Sequence, residues 1–411
     1  MCDCFGGSVI LAIHRSDPDA LGAFDQTFGS QRVDRLEDWA PDRAVDVVRS
    51  LPHSYFQVTV PLGGEAFYAD RFRTAYVERL VARGASSDEI GRFLLDEARR
   101  PIVQAEGLAT TSAMQSPSAG AGFSFTPEHN VYRSVIGMQV VSGQVHSPQV
   151  GILDSGWTSP PALSVNVVST ADFTVKGGGT AVPDVYGHGS VVLGIIHDLV
   201  PGAQFRVYRL STGSDVREWT FLAGLAAAAS ECDVLNASVG FGLADRTCNQ
   251  CRRDWGTTRS QVFHRFLESL LDIHPNLVYI GAAGNQSMDR PCYPARFSQA
   301  VCVGSINGNG DLSSFSNWGN FDQDDQRHPC FLLAPGGDRS VGAQGTDAYV
   351  ASYLNLAWRG TSFAAAYVTG LVADYLHASV RLPGDRSSRR SPRLRTPGQS
   401  RTTTLQIMGW A

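Results

Sequence analysis

Short apolar segments alternate with helical stretches through the second half of the chain, and this alternation limits the fold more than any other feature. From Gln149 onward the apolar segments read VGILD, FRVYRL, DVLNASV, LVYIGAAG and AVCVGSI. Stretches of helical pattern, such as DVREWTFLAGLAAAASE and SQVFHRFLESLLDIH, lie between them. Strands that are apolar throughout and alternate with helices predict an α/β fold, in which helices cover both faces of a parallel sheet. Functional residues in such sheets gather beyond the carboxyl ends of the strands.

The chain before and after this region differs in composition, which predicts further units. Residues 1–108 alternate strand-like runs (SVILAIH, YFQVTVPLG, PIVQAEGLA) with helical runs (DALGAFDQTFG, YADRFRTAYVERLVARG) and predict a smaller N-terminal α+β domain. Residues 109–146 open with a stretch rich in Ser, Ala, Gly and Pro, which predicts a flexible linker and lead-in segment. The main α/β domain is then expected over residues 147–380, followed by a tail over residues 381–411.

The charge of the chain is divided unevenly between its body and this tail. The formal net charge is −5, yet residues 381–401 carry seven arginines and a single acid, Asp385. Binding of the tail to nucleic acid or to a membrane surface is one interpretation. Its Ser, Pro and Gly content favours the other interpretation, a solvated disordered segment, so no nucleic-acid partner is expected.

The amino terminus carries no export signal by its composition. The stretch MCDCFGGSVILAIHRSD lacks a basic n-region, and its apolar run Val9–Ile13 is shorter than the core of a signal peptide. Nowhere does the sequence reach the ~18 consecutive apolar residues that a membrane span needs. We therefore expect a cytoplasmic protein without a membrane partner.

The cysteines and the acidic residues give no clear metal motif. Cys248 and Cys251 form a CxxC pair, but a zinc site would have to recruit a distant residue such as Cys292 or Cys330. Without an export signal, free thiols are favoured over disulfides and over metal binding. The segment FDQDDQ at 321–326 favours a solvated loop over a weak cation site. No metal or other cofactor is expected, and calcium is left open without a motif to support it.

Polar side chains stand at strand ends and helix starts of the predicted sheet. Asp154 ends the strand VGILD, His188 lies between glycines before an apolar helix, and Asn285 follows LVYIGAAG. Ser362 stands in GTSFAAAYVTG, between a Gly-Thr pair and three alanines. Each could be an ordinary capping or turn residue. Together they provide what serine catalysis needs, which is a nucleophile, a base, a group that orients the base, and an oxyanion donor.

The residues around these positions resemble a known family. The blocks DSG, GHGSVVLGI, VLNASVG, AAGN, YPARFSQAVCVGSINGNGDLSSFSNWG, APGG and GTSFAAAYVTG occur in this order over residues 147–378. In sequence and order they are similar to blocks of the subtilisin-like serine proteases, the subtilases, whose catalytic residues also follow the order Asp, His, Ser. The resemblance implies a serine endopeptidase that acts on protein or peptide substrates.

The resemblance also implies a role for each residue. Ser362 would be the nucleophile, His188 the general base, and Asp154 the group that orients His188. The side-chain amide of Asn285 and the backbone amide of Ser362 would bind the oxyanion. Two segments would form the walls of the pocket for the residue before the scissile bond, and they comprise Ser238, Val239 and Gly240 on one side and Ala282, Ala283 and Gly284 on the other.

Two departures from the family pattern leave the catalytic residues intact. The family usually has a threonine where this chain has Ser190, and residues 363–367 read FAAAY without the usual proline. A catalytically silent binding or scaffold protein on the same fold is the alternative to an enzyme. That alternative is disfavoured by the presence of Asp154, His188, Asn285 and Ser362 together, because a non-catalytic protein has no physical need of all four.

The N-terminal domain has two interpretations. Subtilases often carry an α+β prodomain that blocks the cleft until it is cut away, and residues 1–108 have a suitable size. As a prodomain, this region would make the chain a zymogen cut between about residues 105 and 145. The other interpretation is a permanent regulatory domain that binds a partner through residues 1–108.

Overall fold

The computed structural model describes most of the chain, with gaps. The cysteine pair Cys248 and Cys251, the acidic segment 321–326 and the tail 381–411 lie outside the described residues. The described residues are 7–61, 63–96, 98–106, 108–111, 114–118, 121–126, 129, 131–133, 147–159, 163, 165–241, 260–319, 330–339, 347–348 and 350–378.

The secondary structure follows the alternation of the sequence. In the first part of the chain the elements are β1 (Ser8–His14), α1 (Pro18–Phe28), β2 (Arg32–Arg35), a 3-10 turn (Leu36–Asp38), α2 (Asp42–Ser50), β3 (His53–Thr59), α3 (Glu65–Ala82), α4 (Ser87–Leu95), β4 (Ile102–Ala105), β5 (Leu108–Thr111), β6 (Met114–Pro117) and β7 (Ser124–Phe125). In the second part they are β8 (Gln149–Asp154), β9 (Val167–Asp172), α5 (His188–Leu199), β10 (Gln204–Arg209), β11 (Asp215–Arg217), α6 (Glu218–Ala229), β12 (Val234–Ala237), β13 (Val239–Phe241), α7 (Gln261–Ile273), β14 (Val278–Ala282), β15 (Val301–Ile306), β16 (Cys330–Pro335), β17 (Asp338–Arg339), β18 (Asp347–Ala348), β19 (Ala351–Tyr353), β20 (Leu356–Arg359) and α8 (Thr361–Ala378).

The main sheet has seven strands in the order β16-β15-β14-β12-β8-β10-β9, and each neighbouring pair is parallel. Alternate side chains of its strands enter two separate cores. Val150 and Ile152 of β8 pack with α5 and α8, whereas Leu153 packs with α6 and α7 on the opposite face. This arrangement confirms the predicted α/β fold with helices on both faces.

A second, smaller sheet lies in the N-terminal domain, which we define as residues 7–106. Its strands have the order β2-β3-β1-β4 and pair antiparallel. Val9, Leu11 and Ile13 of β1 pack against α1 and α3. Ile10 and Ala12 point to the other face and join the core formed by α6 and α7. The apolar run of β1 is therefore buried on both faces, once by its own helices and once by helices of the main domain.

Short strands account for the main differences from the sequence prediction. The stretch DVREWTFLAGLAAAASE begins with β11, so the helix starts only at Glu218. The run PIVQAEGLA contributes to two strands, β4 and β5. The range 109–146 was predicted to be a flexible linker, and this is wrong where β5, β6 and β7 pair with main-domain strands. Strands this short depend on their partners more than on their own sequence.

Two small sheets hold these segments at the edge of the main domain. β5 is the middle strand of the order β11-β5-β13, and β6 and β7 are the outer strands of the order β6-β20-β19-β7.

None of the described helices combines the length and the apolar character that a membrane span requires.

Candidate active site

Asp154 and His188 meet at the carboxyl edge of the main sheet. Asp154 is the last residue of β8, and His188 is the first residue of α5. Nδ1 of His188 lies 2.7 Å from Oδ1 of Asp154, and both side chains are fully buried. A carboxylate can only accept, so Nδ1 carries the proton and Nε2 is left as an acceptor. Among the described residues, Nε2 of His188 has no hydrogen-bond partner.

Aromatic rings exclude water from the imidazole. The ring centre of His188 lies 5.5 Å from that of Phe363, 5.9 Å from that of Trp358 and 6.3 Å from that of Tyr186. Phe363 directly follows Ser362 in α8, so the imidazole lies beside the first turn of that helix. In such apolar surroundings the ion pair formed when His188 takes a proton is stronger than it would be in water.

Ser362 is the second residue of α8, which crosses the interior of the domain. Ala364, Ala365 and Ala366 are fully buried, and α8 contacts α5 and the strands β12, β14, β15 and β16. The small side chains allow this close packing. The amino end of the helix also favours negative charge next to Ser362, because the peptide dipoles point their positive ends there.

Two hydrogen bonds join Ser362 to Ser238. The Ser362 hydroxyl donates to the carbonyl oxygen of Ser238 at 3.3 Å, and the Ser238 hydroxyl donates to the carbonyl oxygen of Ser362 at 3.0 Å. The Ser238 hydroxyl lies 2.8 Å from Oδ1 of Asn236 as well. In this arrangement the Ser362 hydroxyl bonds a main-chain oxygen, while Nε2 of His188 stays open.

Asn285 is oriented by Thr361. The backbone N–H and the hydroxyl of Thr361 both donate to Oδ1 of Asn285 at 3.0 Å. A backbone N–H can only donate, so the amide oxygen of Asn285 is identified and Nδ2 lies at the other end. Nδ2 is buried and has no partner among the described residues. The side-chain amide of Asn285 is thus oriented by the residue next to Ser362, and its N–H groups make no hydrogen bond to any described residue.

The two predicted pocket walls lie on either side of one segment. Ser238, Val239 and Gly240 lead into β13, and Ala282, Ala283 and Gly284 follow from β14; all are buried. Between them, the backbone N–H of Cys292 donates to the carbonyl oxygen of Ala283 at 2.8 Å, and the N–H of Phe241 donates to that of Tyr293 at 2.7 Å.

Asp184 belongs to this site and was missed by the sequence analysis. Its buried carboxylate accepts from the N–H of Gly187 at 2.7 Å and from the N–H and hydroxyl of Ser190 at 2.8 Å. The hydroxyl of Ser155, next to Asp154, donates to it at 2.9 Å. Burial raises the pKa of Asp184. Asp184 thus links Gly187 and Ser190, on either side of His188, to the residue that follows β8. In the sequence, an acid four residues before a glycine-flanked histidine was the signal that could have identified Asp184.

Among the described residues, no group of three or more His, Cys, Asp or Glu side chains could hold a metal ion. The described cysteines, Cys232, Cys292, Cys302 and Cys330, are free thiols. Cys292 and Cys330 were the residues that a zinc site would have recruited, and Cys292 instead donates to the carbonyl oxygen of Ala282 at 3.3 Å.

Comparison with known proteins identifies the family of the chain. The model of the Subtilase family, Peptidase_S8, matches residues 146–384, which is more than half of the chain. The chain belongs to the subtilase family. Two curated relatives of this subtilase are Subtilisin E of Bacillus subtilis (strain 168) and Subtilisin NAT of Bacillus subtilis subsp. natto. Each is 27% identical over 247 residues, or 55% of this chain and 54% of the relative. The subtilase thus spans about half the length of the curated relatives that it matches.

A solved structure resembles the subtilase over nearly its whole length. It is that of the epidermin leader peptide processing serine protease EpiP from Staphylococcus aureus, with a TM-score of 0.54 and 14% identity. The likeness covers 90% of this chain and 89% of that one. Coverage of this extent includes the N-terminal domain as well as the main sheet, and at this identity it concerns the fold.

Proposed function

We propose that the chain is a serine endopeptidase that hydrolyses peptide bonds of protein or peptide substrates. The observation that carries the proposal is the 2.7 Å hydrogen bond between Asp154 and His188. It fixes the imidazole with Nε2 unprotonated, beside the turn of α8 that contains Ser362. A serine hydroxyl needs such a base to become a nucleophile near neutral pH.

The proposed reaction proceeds through an acyl-enzyme. Rotation about the Cα–Cβ bond of Ser362 would turn its hydroxyl from Ser238 towards Nε2 of His188. As Oγ attacks the substrate carbonyl, its proton passes to Nε2, and Asp154 stabilises the resulting imidazolium through Nδ1–H. Nδ2 of Asn285 would bind the oxyanion. His188 then protonates the leaving amine, and a water molecule hydrolyses the acyl-enzyme by the same route in reverse.

We further propose that the N-terminal domain and β5 inhibit this site as a prodomain does. β5 lies in the cleft, where Thr111 pairs with Val239, the neighbour of Ser238. Further along the chain, Met114 of β6 pairs with Arg359, three residues before Ser362. A chain that pairs as a strand with segments next to Ser362 has the extended form of a bound peptide.

Side chains of β4 and the residue after it dock the N-terminal domain on two helices. Oε1 of Gln104 accepts from the N–H groups of Gln261 and Val262, the first residues of α7, at 3.1 and 3.3 Å. Oε1 of Glu106 accepts from the N–H of Trp219, in the first turn of α6, at 3.2 Å. These bonds satisfy N–H groups that a helix end leaves unpaired, and a carboxylate there is further favoured by the helix dipole.

Self-cleavage tests both proposals. Purified wild-type chain is expected to yield a shortened species whose new amino terminus is Ala113 or Met114. Ser362→Ala is expected to stay full length, because it lacks the nucleophile. Ser230→Ala removes an exposed serine at the end of α6 and should be cut as wild type. Time-course electrophoresis and amino-terminal sequencing measure the result.

Other outcomes separate the alternatives. A wild-type chain that stays intact while it digests casein would favour the permanent regulatory domain. A folded wild-type chain, freed of its N-terminal domain, whose Ser362 is not labelled by a fluorophosphonate probe would favour the catalytically silent scaffold. Mass mapping of a cleaved peptide library would then distinguish a protease for one precursor from a general degradative enzyme.

A further inference from the structure

We propose that Cys292 closes the pocket for the residue before the scissile bond and restricts that residue to Gly, Ala or Ser. The inference rests on the proposed function, and it names the class of peptide that the same site would accept. It depends on the position of one side chain between the two predicted walls.

The sulfur of Cys292 lies in contact with both walls. A methyl group added at Gly240 would lie 2.3 Å from Sγ of Cys292, and one added at Gly284 would lie 3.2 Å from it. The thiol also donates to the carbonyl oxygen of Ala282 at 3.3 Å, and only 2% of the residue is exposed. The sulfur therefore fills the space in which the walls approach each other.

Hydrogen bonds fix the backbone of Cys292 and of the next residue. The Cys292 side chain therefore cannot leave the pocket through a movement of the backbone. The N–H of Cys292 is bonded to the carbonyl oxygen of Ala283, and its own carbonyl oxygen accepts from the N–H of Arg296 at 3.0 Å. The next residue, Tyr293, accepts from the N–H of Phe241 at 2.7 Å. A large substrate side chain would have to displace a segment that is bonded to both walls.

The pocket closed in this way is small and uncharged. Burial raises the pKa of the Cys292 thiol to about 12, so the thiol is neutral at physiological pH. A neutral thiol carries no negative charge that could pair with a basic side chain of the substrate. Forcing extra methylene groups into a packed site is unfavourable, and a difference of one methylene changes selectivity by about 10- to 200-fold.

The sequence of the chain itself is consistent with this restriction. β5 runs towards Ser238 and Ser362 as it approaches Thr111, and Ser112 and Ala113 follow Thr111 in the sequence. Both are small residues. A bond cut after either of them would place a side chain of the proposed class in the pocket.

The experiment compares peptides Leu-Ala-Thr-Thr-X with a fluorogenic leaving group, where X is Ala, Leu or Phe. They are cleaved by the wild type and by Cys292→Gly and Cys292→Ala, each of them self-processed and then freed of its N-terminal domain. We expect wild type to prefer Ala over Phe by at least about 10-fold in kcat/KM. Cys292→Gly should raise the Phe-to-Ala ratio by about 10- to 200-fold, because the space of the thiol becomes available. Cys292→Ala should show a smaller increase.

A control keeps the test specific. Cys330→Ser removes an exposed thiol on β16 and should keep the wild-type ratio. Circular dichroism establishes that each variant is folded. The two enlarging variants, Cys292→Gly and Cys292→Ala, are assayed separately, so that either of them can test the inference if the other does not fold.

Three results would overturn the inference. One is a wild type that prefers Phe or Leu, and another is a Phe-to-Ala ratio in both enlarging variants equal to that of wild type. In either case fluorophosphonate labelling of Ser362 would show that the proposed peptidase stands and only the pocket inference fails. The third is a folded, unmasked wild type whose Ser362 is not labelled, which removes the proposed function and this inference with it.

Discussion

The side-chain oxygen of Asn285 accepts hydrogen bonds, whereas its nitrogen has no partner in the part of the chain that the structure describes. Both bonds to Oδ1 come from Thr361, so the residue before Ser362 orients this amide. The hydroxyl of Thr361 also accepts from the N–H of Gly284 at 3.1 Å, which holds the loop itself. Preorganised donors of this kind stabilise developing negative charge without further rearrangement.

We predict that Asn285→Ala lowers kcat of the processed enzyme by about 100- to 1000-fold, the range found when the corresponding donor of subtilisin is removed. KM should change little, because the donor is used in the transition state rather than in substrate binding. Steady-state kinetics on a peptide substrate measures both constants. Gln286→Ala, at the exposed neighbouring position, is the control and should stay within a few-fold of wild type. A change confined to KM would contradict the role of Asn285 as an oxyanion donor.

Residue types and their order predicted four side chains of the candidate site, but neither Asp184 nor the hydrogen bonds among these residues. Asp154, His188, Asn285 and Ser362 stand at strand ends and helix starts in a recognisable order. Asp184 lies in a loop, and only the folded chain shows that Ser155 and Ser190 both donate to its carboxylate. The bond of the Ser362 hydroxyl to Ser238 is equally a property of the three-dimensional arrangement.

At the scale of elements, prediction succeeded where a segment carries its own pattern. The five apolar segments of the second half form β8, β10, β12, β14 and β15 of the main sheet. The edge strands β9 and β16 were not predicted. β9 reads VVSTAD, a more polar sequence that is only partly buried, so its pattern is weak. A strand with one neighbour owes its conformation largely to that neighbour.

The cleft strand β5 is the clearest case of an element formed by its partners. It has four residues, LATT, and pairs with β11 on one side and β13 on the other. The composition of the segment predicted a linker, because a sequence of four residues does not indicate that β11 and β13 will pair with it on its two sides. The same dependence makes β5 sensitive to the loss of a single N–H group.

We predict that Thr111→Pro exposes the nucleophile. The N–H of Thr111 donates to the carbonyl oxygen of Ser214 at 2.9 Å, and proline has no N–H. A hydrogen bond contributes about 0.5 to 1.5 kcal/mol, so the fraction of molecules in which β5 has left the cleft should rise about 2- to 10-fold. The initial rate of fluorophosphonate labelling of freshly purified, uncut chain should rise by that factor. Thr111→Val, which keeps the N–H, should label as wild type, and equal rates in all three chains would show that β5 does not block the site.

At the scale of the whole molecule, the N-terminal domain and the main domain share a core. Tyr55 of β3 stacks edge-to-face on Phe266 of α7 with ring centres 5.2 Å apart, and Ile10 and Ala12 join the same cluster. The apolar run of β1 predicted burial, but it could not indicate which helices cover its second face. Because an apolar interface does not depend on the continuity of the chain, we expect the N-terminal domain to stay bound after the chain is cut.

A buried histidine at this interface makes its stability depend on pH. His53 lines a cavity of about 590 Å³ between the N-terminal domain and α7, and only 3% of the residue is exposed. Its Nε2 lies 3.1 Å from the carbonyl oxygen of Ala98, to which it donates. Burial, followed by the positive charges of Arg265, His14 and Arg15, lowers the pKa of His53 from 6.5 to about 3, although the hydrogen bond to Ala98 opposes this shift. Glu268 and Asp272 of α7 line the same cavity.

We predict that His53 destabilises the folded chain as the pH falls from 6.5 towards 3. In this range the unfolded chain binds a proton at His53 and the folded chain does not, so the free energy of unfolding decreases by at most about 1.4 kcal/mol per pH unit from this residue. Denaturant unfolding of Ser362→Ala, which cannot cut itself, measures the slope. Adding His53→Gln should make the curve shallower below pH 6.5 and leave its shape unchanged from pH 7 to 9, where the imidazole is neutral in both states. Parallel curves with and without His53 at pH 4 to 6 would mean that the folded protein accommodates a charged imidazole at this interface.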